Sequence, residues 1–347
     1  MIEKTNKTSI TERETTSLEL DELVVPTVIN QTIDINTKEI LTKEGFSNIK
    51  LIGQGWSSTA YNATLDGKDC IIRIPKIGGG GFNEYEREHD ILEIVRSKIK
   101  SVKLPKTHLF ESNGLKYVVH EKIMGNIFNI NNFEQLNETK QDNFSQSVAN
   151  FFNEMHSIDI NEVSNISGLR WGSLSTDYIK ESFEKYLAFF KNESWEENLN
   201  FSKHEIDAFC KFINSISNIK EPEVLLHRDF HGENFVVDNE MHLVGVFDFG
   251  NCSIASRVIE FNCFVKKNDD GTFHEPLLLK KLLFFYEKAS GVRISFNDIV
   301  NQVKYSDAYC ITWLVCTDEI LNNNKDHLRE CVVRIKKWLG RDMGENR

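Results

Sequence analysis

The stretch HRDFHGENFVVD, His227 to Asp238, and the FDFG that follows at Phe247 to Gly250 constrain this chain more than any other feature. Two short apolar runs, Phe235 to Val237 and Leu243 to Phe247, flank Asp238-Asn239-Glu240-Met241, a composition that favours a turn, so the segment should fold as a β-hairpin. A hairpin brings its open ends together. Asn234 before the first strand and Asp248 after the second should therefore lie within a residue or two of facing each other. An amide oxygen and a carboxylate so placed are hard ligands of the kind Mg²⁺ accepts while it keeps other positions for water and phosphate. Asp229, five residues before Asn234 on the same loop, can reach the same space, where a carboxylate accepts or orients the proton of an incoming hydroxyl. Singly, each of these residues could be no more than a turn cap. Together at this spacing they are the base and two metal ligands that phosphoryl transfer requires.

The rest of the chain supplies two kinds of surroundings for that loop. Residues 1–45 are rich in Thr, Glu, Asn and Lys, with one compact apolar run at Leu23 to Ile29, and read as an N-terminal extension, part flexible and part packed on the surface. From Ile49 onward the short β-branched runs IKLI, TAYNATL and CIIRI alternate with Gly-rich or Asp-Gly turns, the pattern of an antiparallel sheet. A helix is expected at about Phe82 to Ser97, then two strands, KTHLF and LKYVVHE, around the turn Ser112-Asn113-Gly114. Beyond Gly125 helical periods dominate: Phe144, Val148, Phe151, Phe152 and Met155 form one apolar stripe, and LLLKKLLFFYEKASG and CITWLVCTDEIL carry others. The fold class implied is α+β and bilobal, with a small antiparallel-sheet lobe over residues 46–124 and a large helical lobe over 125–347. A chain of 347 residues, 40% hydrophobic, can bury roughly three quarters of its unfolded surface in such a plan.

Composition narrows the partners. A net charge of −11 argues against a generic nucleic-acid binder, and no basic run suggests an anionic membrane surface. The seven cysteines form no C-x-x-C pair and no zinc spacing, which suggests buried free thiols in a reducing compartment. The polar start MIEKTNKTSITERETT lacks the apolar core of a signal peptide, and no apolar run approaches eighteen residues, so a cytoplasmic protein is expected.

HRDFHGEN followed by FDFG resembles the catalytic core of the aminoglycoside phosphotransferase family, relatives of the protein kinases that phosphorylate small-molecule hydroxyls. The resemblance covers about residues 46 to 345 in organisation, and its specific motifs lie between His227 and Gly250. It implies a protein-kinase-like fold, with Asp229 as catalytic base, Asn234 and Asp248 as Mg²⁺ ligands, and His227 supporting the loop. His231 matches a histidine frequent in that loop, for which packing or loop hydrogen bonding is expected. Two positions depart from the family pattern. Arg228 stands where the family usually has glycine and protein kinases have arginine, and Glu260 stands where an aspartate usually follows the metal motif.

The sheet lobe should hold the phosphate donor, ATP or GTP, which the sequence does not separate. In LIGQGWSSTAYNA, Gly53 and Gly55 would let the backbone approach phosphates and Ser57 would add a donor. The phosphate-binding cation falls on Arg73, with Lys76 as the alternative; Arg73 faces away from Ile72 and Ile74 on the strand. Its acidic partner is assigned by helix phase to Glu88, which shares a stripe with Ile91, Leu92 and Val95; Glu84 is the reserve and Glu86 faces away. By resemblance, backbone groups of Glu121 and Ile123 would hydrogen-bond the base.

The acceptor site is the least specified part. Asp318 and Glu319, with Asp307 earlier, are acids that could line a pocket for a polycation, or could be an ordinary solvated face. The expected activity is transfer of a γ-phosphoryl group to a small-molecule hydroxyl, with an aminoglycoside-like amino sugar as the acceptor. A metabolic kinase for choline, a sugar or an amino-alcohol is the alternative. A protein kinase would account for Arg228, yet only nine residues separate Gly250 from Glu260, too few for an activation loop. A non-catalytic nucleotide-binding module would have less need of a base and two ligands together.

Overall fold

A computed structural model describes residues 35–54, 58–76, 81–169, 202–217, 222–268, 271–314 and 325–342. The chain enters through α1 (Ile35–Lys43) and then forms β1 (Ser47–Gln54), β2 (Ser58–Leu65) and β3 (Lys68–Pro75). After α2 (Gly81–Val95) come β4 (Thr107–Ser112) and β5 (Leu115–Glu121). These strands make one antiparallel sheet in the order β1-β2-β3-β5-β4. The β4–β5 turn falls at Asn113 and Gly114, both with positive φ, as the Asn-Gly pair favours.

Alternation along β3 gives the sheet two different faces. Ile72 is fully buried on one of them with Tyr61, Ala63, Cys70, Tyr117 and Val119, under Leu41 of α1 and Phe46. Arg73, one residue on, is turned to the other. The segment read as an extension thus contributes α1 to the core of this lobe, whereas Leu23 to Ile29 lies outside the described residues.

The second lobe is built on α3 (Glu138–His156), followed by α4 (Ile160–Val163), α5 (Lys203–Ser217), α6 (Leu277–Ser290), α7 (Phe296–Leu314) and α8 (Lys325–Asp342). Phe144, Val148, Phe151, Phe152 and Met155 of α3 are all fully buried, as their spacing predicts. Three short ribbons interrupt the helices: β6 (Glu223–Leu226) with β9 (Ser253–Ser256), β7 (Phe235–Val237) with β8 (Leu243–Val246), and β10 (Lys266–Lys267) with β11 (Phe273–His274). Among the described residues no helix is long and apolar enough to cross a membrane.

The β7–β8 hairpin predicted from the opening motif is therefore present, and it is tied to the α2–β4 connection and to the segment that leaves β5 for the second lobe. Asn126 exchanges two backbone hydrogen bonds with Val237, at 2.8 and 2.9 Å. Lys103 N–H donates to Val244 O at 3.0 Å and its carbonyl accepts from Val246 N–H at 3.1 Å. The approach is close enough to require glycine on each side. A Cβ on Gly125 would meet Val236 Cβ at 2.7 Å, and one on Gly245 would meet Ile123 Cγ2 at 2.5 Å.

Phe152 is the centre of the aromatic packing beneath the motif, with ring contacts to Phe230 at 5.2 Å, Phe261 at 5.7 Å and His156 at 6.1 Å. Phe152→Ala should lower the unfolding free energy by about 3–5 kcal/mol, measured by urea denaturation. A loss below about 1 kcal/mol would mean that this cluster is not the core that carries the loop.

Candidate active site

The loop between β6 and β7 is organised by His227, which is fully buried. Its Nδ1 accepts from Asp229 N–H at 3.3 Å, so the ring proton resides on Nε2, which donates to Phe247 O at 3.2 Å. Burial lowers the pKa of this imidazole and keeps it neutral despite the Glu260, Asp229 and Asp248 carboxylates. One side chain thereby links the start of the loop to the end of the hairpin.

Asn234 and Asp248 emerge at the open end of that hairpin, where Phe247 N–H donates to Asn234 O at 3.0 Å. Asn234 spends its Nδ2 inside the loop, on Asp229 O at 2.9 Å and His231 Nε2 at 3.0 Å, so the polar atom it has left is the oxygen Oδ1. The Asp229 carboxylate is about a third exposed and accepts from Asn251 Nδ2 at 3.1 Å, with His231 Nε2 at 3.5 Å. His231 is thus a loop hydrogen-bonding residue. Asn234 Oδ1 and the Asp248 carboxylate at this open end are hard oxygen donors of the kind a divalent ion takes while it keeps water and phosphate among its ligands. Among the described residues no group of three or more His, Cys, Asp or Glu is placed to hold an ion by itself.

Glu260 closes the loop from below. Buried to 2% exposure, it accepts from the backbone N–H of His227 at 2.8 Å and of Arg228 at 2.9 Å, with His156 Nε2 at 3.6 Å. His156 Nδ1 in turn meets Tyr286 Oη at 2.7 Å. Burial alone would raise the Glu260 pKa, but the contacts with His156, His227 and Arg228 N–H outweigh it and hold the carboxyl below its ordinary value. Arg228, the other departure, has φ +65°, the left-handed region that favours glycine. Arginine occupies it here at some conformational cost, and the Glu260 hydrogen bond to its N–H holds the residue in place.

Across the cleft, Arg73 Nη2 lies 3.1 Å from Asp248 Oδ2, and its Nη1 lies 4.0 Å from Glu88 Oε2. Its Nε donates to Ser58 Oγ at 3.2 Å and its guanidinium covers the Tyr85 ring at 5.2 Å. Burial disfavours the cation, but the two acids outweigh that and keep Arg73 protonated. Glu88 is 2% exposed, and burial pushes its carboxyl up to about 7 against the pull of Arg73. Its Oε1 accepts from Phe249 N–H at 3.0 Å, so this acid binds the motif itself as well as the cation. Glu86 is exposed and Glu84 half-buried, as the helix phase predicts. Asp248 has a left-handed backbone, φ 66° and ψ 68°, and Arg73 depresses its pKa although burial opposes this.

The remaining expected residues divide. Gly53 ends β1 with nothing within 4 Å of where a Cβ would stand, whereas Gly55 and Ser57 lie outside the described residues. Glu121 and Ile123 sit where β5 leaves for the second lobe; Glu121 N–H already donates to Lys106 O at 2.8 Å, so a contact from Glu121 to a base would have to come from its carbonyl. Asp318 and Glu319 lie outside the described residues. Asp307 is not an open acid. It is 3% exposed and paired with Lys267 Nζ at 3.0 Å and Arg334 Nη2 at 3.3 Å.

Three residues at the site escaped the sequence reading. Arg87, beside Glu88 on α2, donates from Nη2 to Gly250 O at 2.6 Å. Asn251 holds Asp229, and the buried His120 on β5 is kept neutral, its pKa lowered to about 3 chiefly by burial and then by Arg73. No periodicity marks them, except that His120 alternates in phase with Val118, the residue paired with Arg73.

Glu260→Gln keeps the shape but places an NH₂ against two buried N–H donors, and should destabilise the protein by about 1–3 kcal/mol at neutral pH in urea denaturation. A carboxyl depressed below its ordinary 4.5 contributes stability above that pH that is lost on acidification, so wild type and variant should converge as pH falls below about 4.5. A constant difference down to the acid limit would contradict the assignment.

The chain is similar to several phosphotransferases of known structure. The chain is similar to the gentamicin complex of APH(2″)-IIa, with a TM-score of 0.67 at 17% identity over 88% of this chain and 96% of that one. It is similar to the ADP-bound aminoglycoside phosphotransferase APH(2″)-Ib, with a TM-score of 0.63 at 17% identity over 87% and 99%. Macrolide 2′-phosphotransferase type I gives 0.56 at 15% identity over 86% and 98%. The two-lobed fold of the kinase-like phosphotransferases is therefore the fold of this chain. The model of the phosphotransferase enzyme family matches residues 48–287, which contain β2 to β11, α2 and the whole stretch from His227 to Gly250, and the chain belongs to that family.

Proposed function

We propose that this protein transfers the γ-phosphoryl group of ATP or GTP to a hydroxyl of a small molecule. The observation that carries the reading is the convergence of Asp229, Asn234 and Asp248 at the open end of one hairpin, opposite Arg73. In this reading Asp229 accepts the hydroxyl proton while the hydroxyl oxygen bonds to the γ-phosphorus and the bond to the nucleoside diphosphate breaks. Asn251 fixes the carboxylate, and His227 and Glu260 fix the backbone that carries it. Arg73 turns its guanidinium to the phosphates, with Glu88 holding it in place. Asn234 Oδ1 and Asp248 would hold Mg²⁺, which would supply positive charge against the phosphates. Gly53, Gly55 and Ser57 would cover the phosphates, and Glu121 and Ile123 would meet the base through their backbone.

Neighbouring structures were determined with ATP, ADP or GDP, and with gentamicin, streptomycin or kanamycin, which supports a nucleotide donor and an amino-sugar acceptor. Phosphorylation of such an acceptor would disable an antibiotic. A metabolic hydroxyl compound is the second reading, favoured by the burial of Asp307 in two ion pairs, which removes one acid from any polycation-binding wall. The free cysteines and the acidic chain fit a reducing cytoplasm.

Purified protein should consume nucleotide only when a hydroxylated acceptor is present, and Asp229→Asn should lower that turnover by about 10²-fold or more with nucleotide affinity retained. Near-normal turnover in the variant would remove Asp229 from the chemistry. Across an acceptor panel, a KM that rises with salt marks a cationic acceptor, and preferred turnover of a neutral one without a salt effect marks the metabolic reading.

A further inference from the structure

Helices α7 and α8 pack against each other in the helical lobe, and each brings one cysteine to the seam between them. Cys310 lies on α7 and Cys331 on α8, and their side chains share a hydrogen bond with the Cys331 thiol as donor. Cys331 Sγ in turn accepts from Arg334 Nη2 at 3.1 Å. Arg334 is anchored on Asp307 Oδ1 at 3.3 Å, and the same oxygen binds Lys267 Nζ at 3.0 Å. A fixed cation therefore stands beside the sulfur of one thiol, and that thiol touches the other.

The two thiols differ in access and in acidity. Cys331 is fully buried and Cys310 half-buried, so a small solute meets Cys310 first. The hydrogen bond from Cys331, together with the Lys267 and Arg334 cations, holds the Cys310 thiol below its ordinary pKa although burial and Asp307 oppose this. Burial pushes the thiols of Cys70, Cys252 and Cys263 the other way. A thiolate is the form that attacks oxidants, and a second thiol in contact with it resolves the product. Sulfurs already in hydrogen-bond contact have only a short way to close to the covalent distance of about 2 Å.

We infer that Cys310 and Cys331 are a peroxide-responsive pair that closes into a reversible disulfide and fastens α7 to α8. In the first step the Cys310 thiolate attacks one oxygen of hydrogen peroxide; the S–O bond forms, the O–O bond breaks, and the departing hydroxide takes up the proton that Cys310 released. Cys331 then loses its proton beside Arg334 and attacks the Cys310 sulfur; the S–S bond forms, the S–O bond breaks, and the departing hydroxide takes the Cys331 proton. Two thiols and one peroxide give one disulfide and two waters. The inference uses no part of the phosphotransfer reading and stands or falls apart from it.

The test treats reduced full-length protein with a small molar excess of hydrogen peroxide, blocks the remaining thiols with N-ethylmaleimide and maps the seven cysteines by mass spectrometry of unreduced peptides. The expected first product is an intramolecular bridge joining Cys310 to Cys331, formed about tenfold or more faster than oxidation of the exposed Cys263 and reversed by dithiothreitol. The bridged protein should melt about 5 °C or more above the reduced one, since the link closes a loop of about twenty residues. Cys331→Ser should leave a sulfenic acid at Cys310 that dimedone traps, and Cys310→Ser should leave Cys331 unreacted over the same time. The wild-type map decides the outcome even where a variant does not fold. A first bridge that includes Cys316 or any other cysteine, oxidation of Cys263 while the pair stays reduced, or a bridged protein that melts no later than the reduced one would each overturn the inference.

Discussion

The contact between Arg73 and Asp248, 3.1 Å across the cleft, couples the two lobes, and much of the site geometry follows from it. Arg73 stands on a strand whose other face is packed into the sheet lobe, so it cannot move far without moving the sheet. Asp248 stands at the end of a hairpin pinned to Lys103 of the α2–β4 connection and to Asn126 of the segment that leaves β5 for the second lobe. Glu88 completes the link by touching both partners, the guanidinium through Oε2 and the motif backbone through Phe249 N–H. A cation between the buried Glu88 and the partly exposed Asp248 remains charged, which keeps the guanidinium in place at the mouth of the cleft.

The loop is strained, and buried hydrogen bonds hold it. Arg228 and Asp248 both have left-handed backbones, which cost side-chain-bearing residues roughly 1–3 kcal/mol each. Glu260 offsets the first by binding two consecutive N–H groups; the Arg73 pair and the Phe249 N–H bond to Glu88 offset the second. The Glu260 side chain reaches both amides and still lies 3.6 Å from His156.

What could be read in the sequence was whatever rested on period or on short-range turns. The hairpin, the sheet strands, the α3 stripe and the inward phase of Glu88 are set by repeats of two or 3.6 residues and by Asn-Gly or Asp-rich turns, which need no knowledge of the rest of the fold. The bond from Glu260 to the His227 N–H spans 33 residues and that from Arg87 to Gly250 spans 163, so neither leaves a local trace. Arg228 could have been read: a position where glycine is usual is a candidate for positive φ whatever residue occupies it. Asp307, named among the acids near the acceptor, misleads for a different reason. Charge on a helix face does not say which partner neutralises it, and Asp307 is neutralised from within.

In the proposed reading Asp248 would hold the Mg²⁺ that accompanies the nucleotide phosphates. A calorimetric titration of ATP and GTP against wild type and Asp248→Asn, each with and without Mg²⁺, tests it most directly. The account predicts that Mg²⁺ strengthens nucleotide binding about tenfold or more in wild type and that the variant loses this gain while it remains folded. The same Mg²⁺-dependent gain in the variant, or none in wild type, would contradict it.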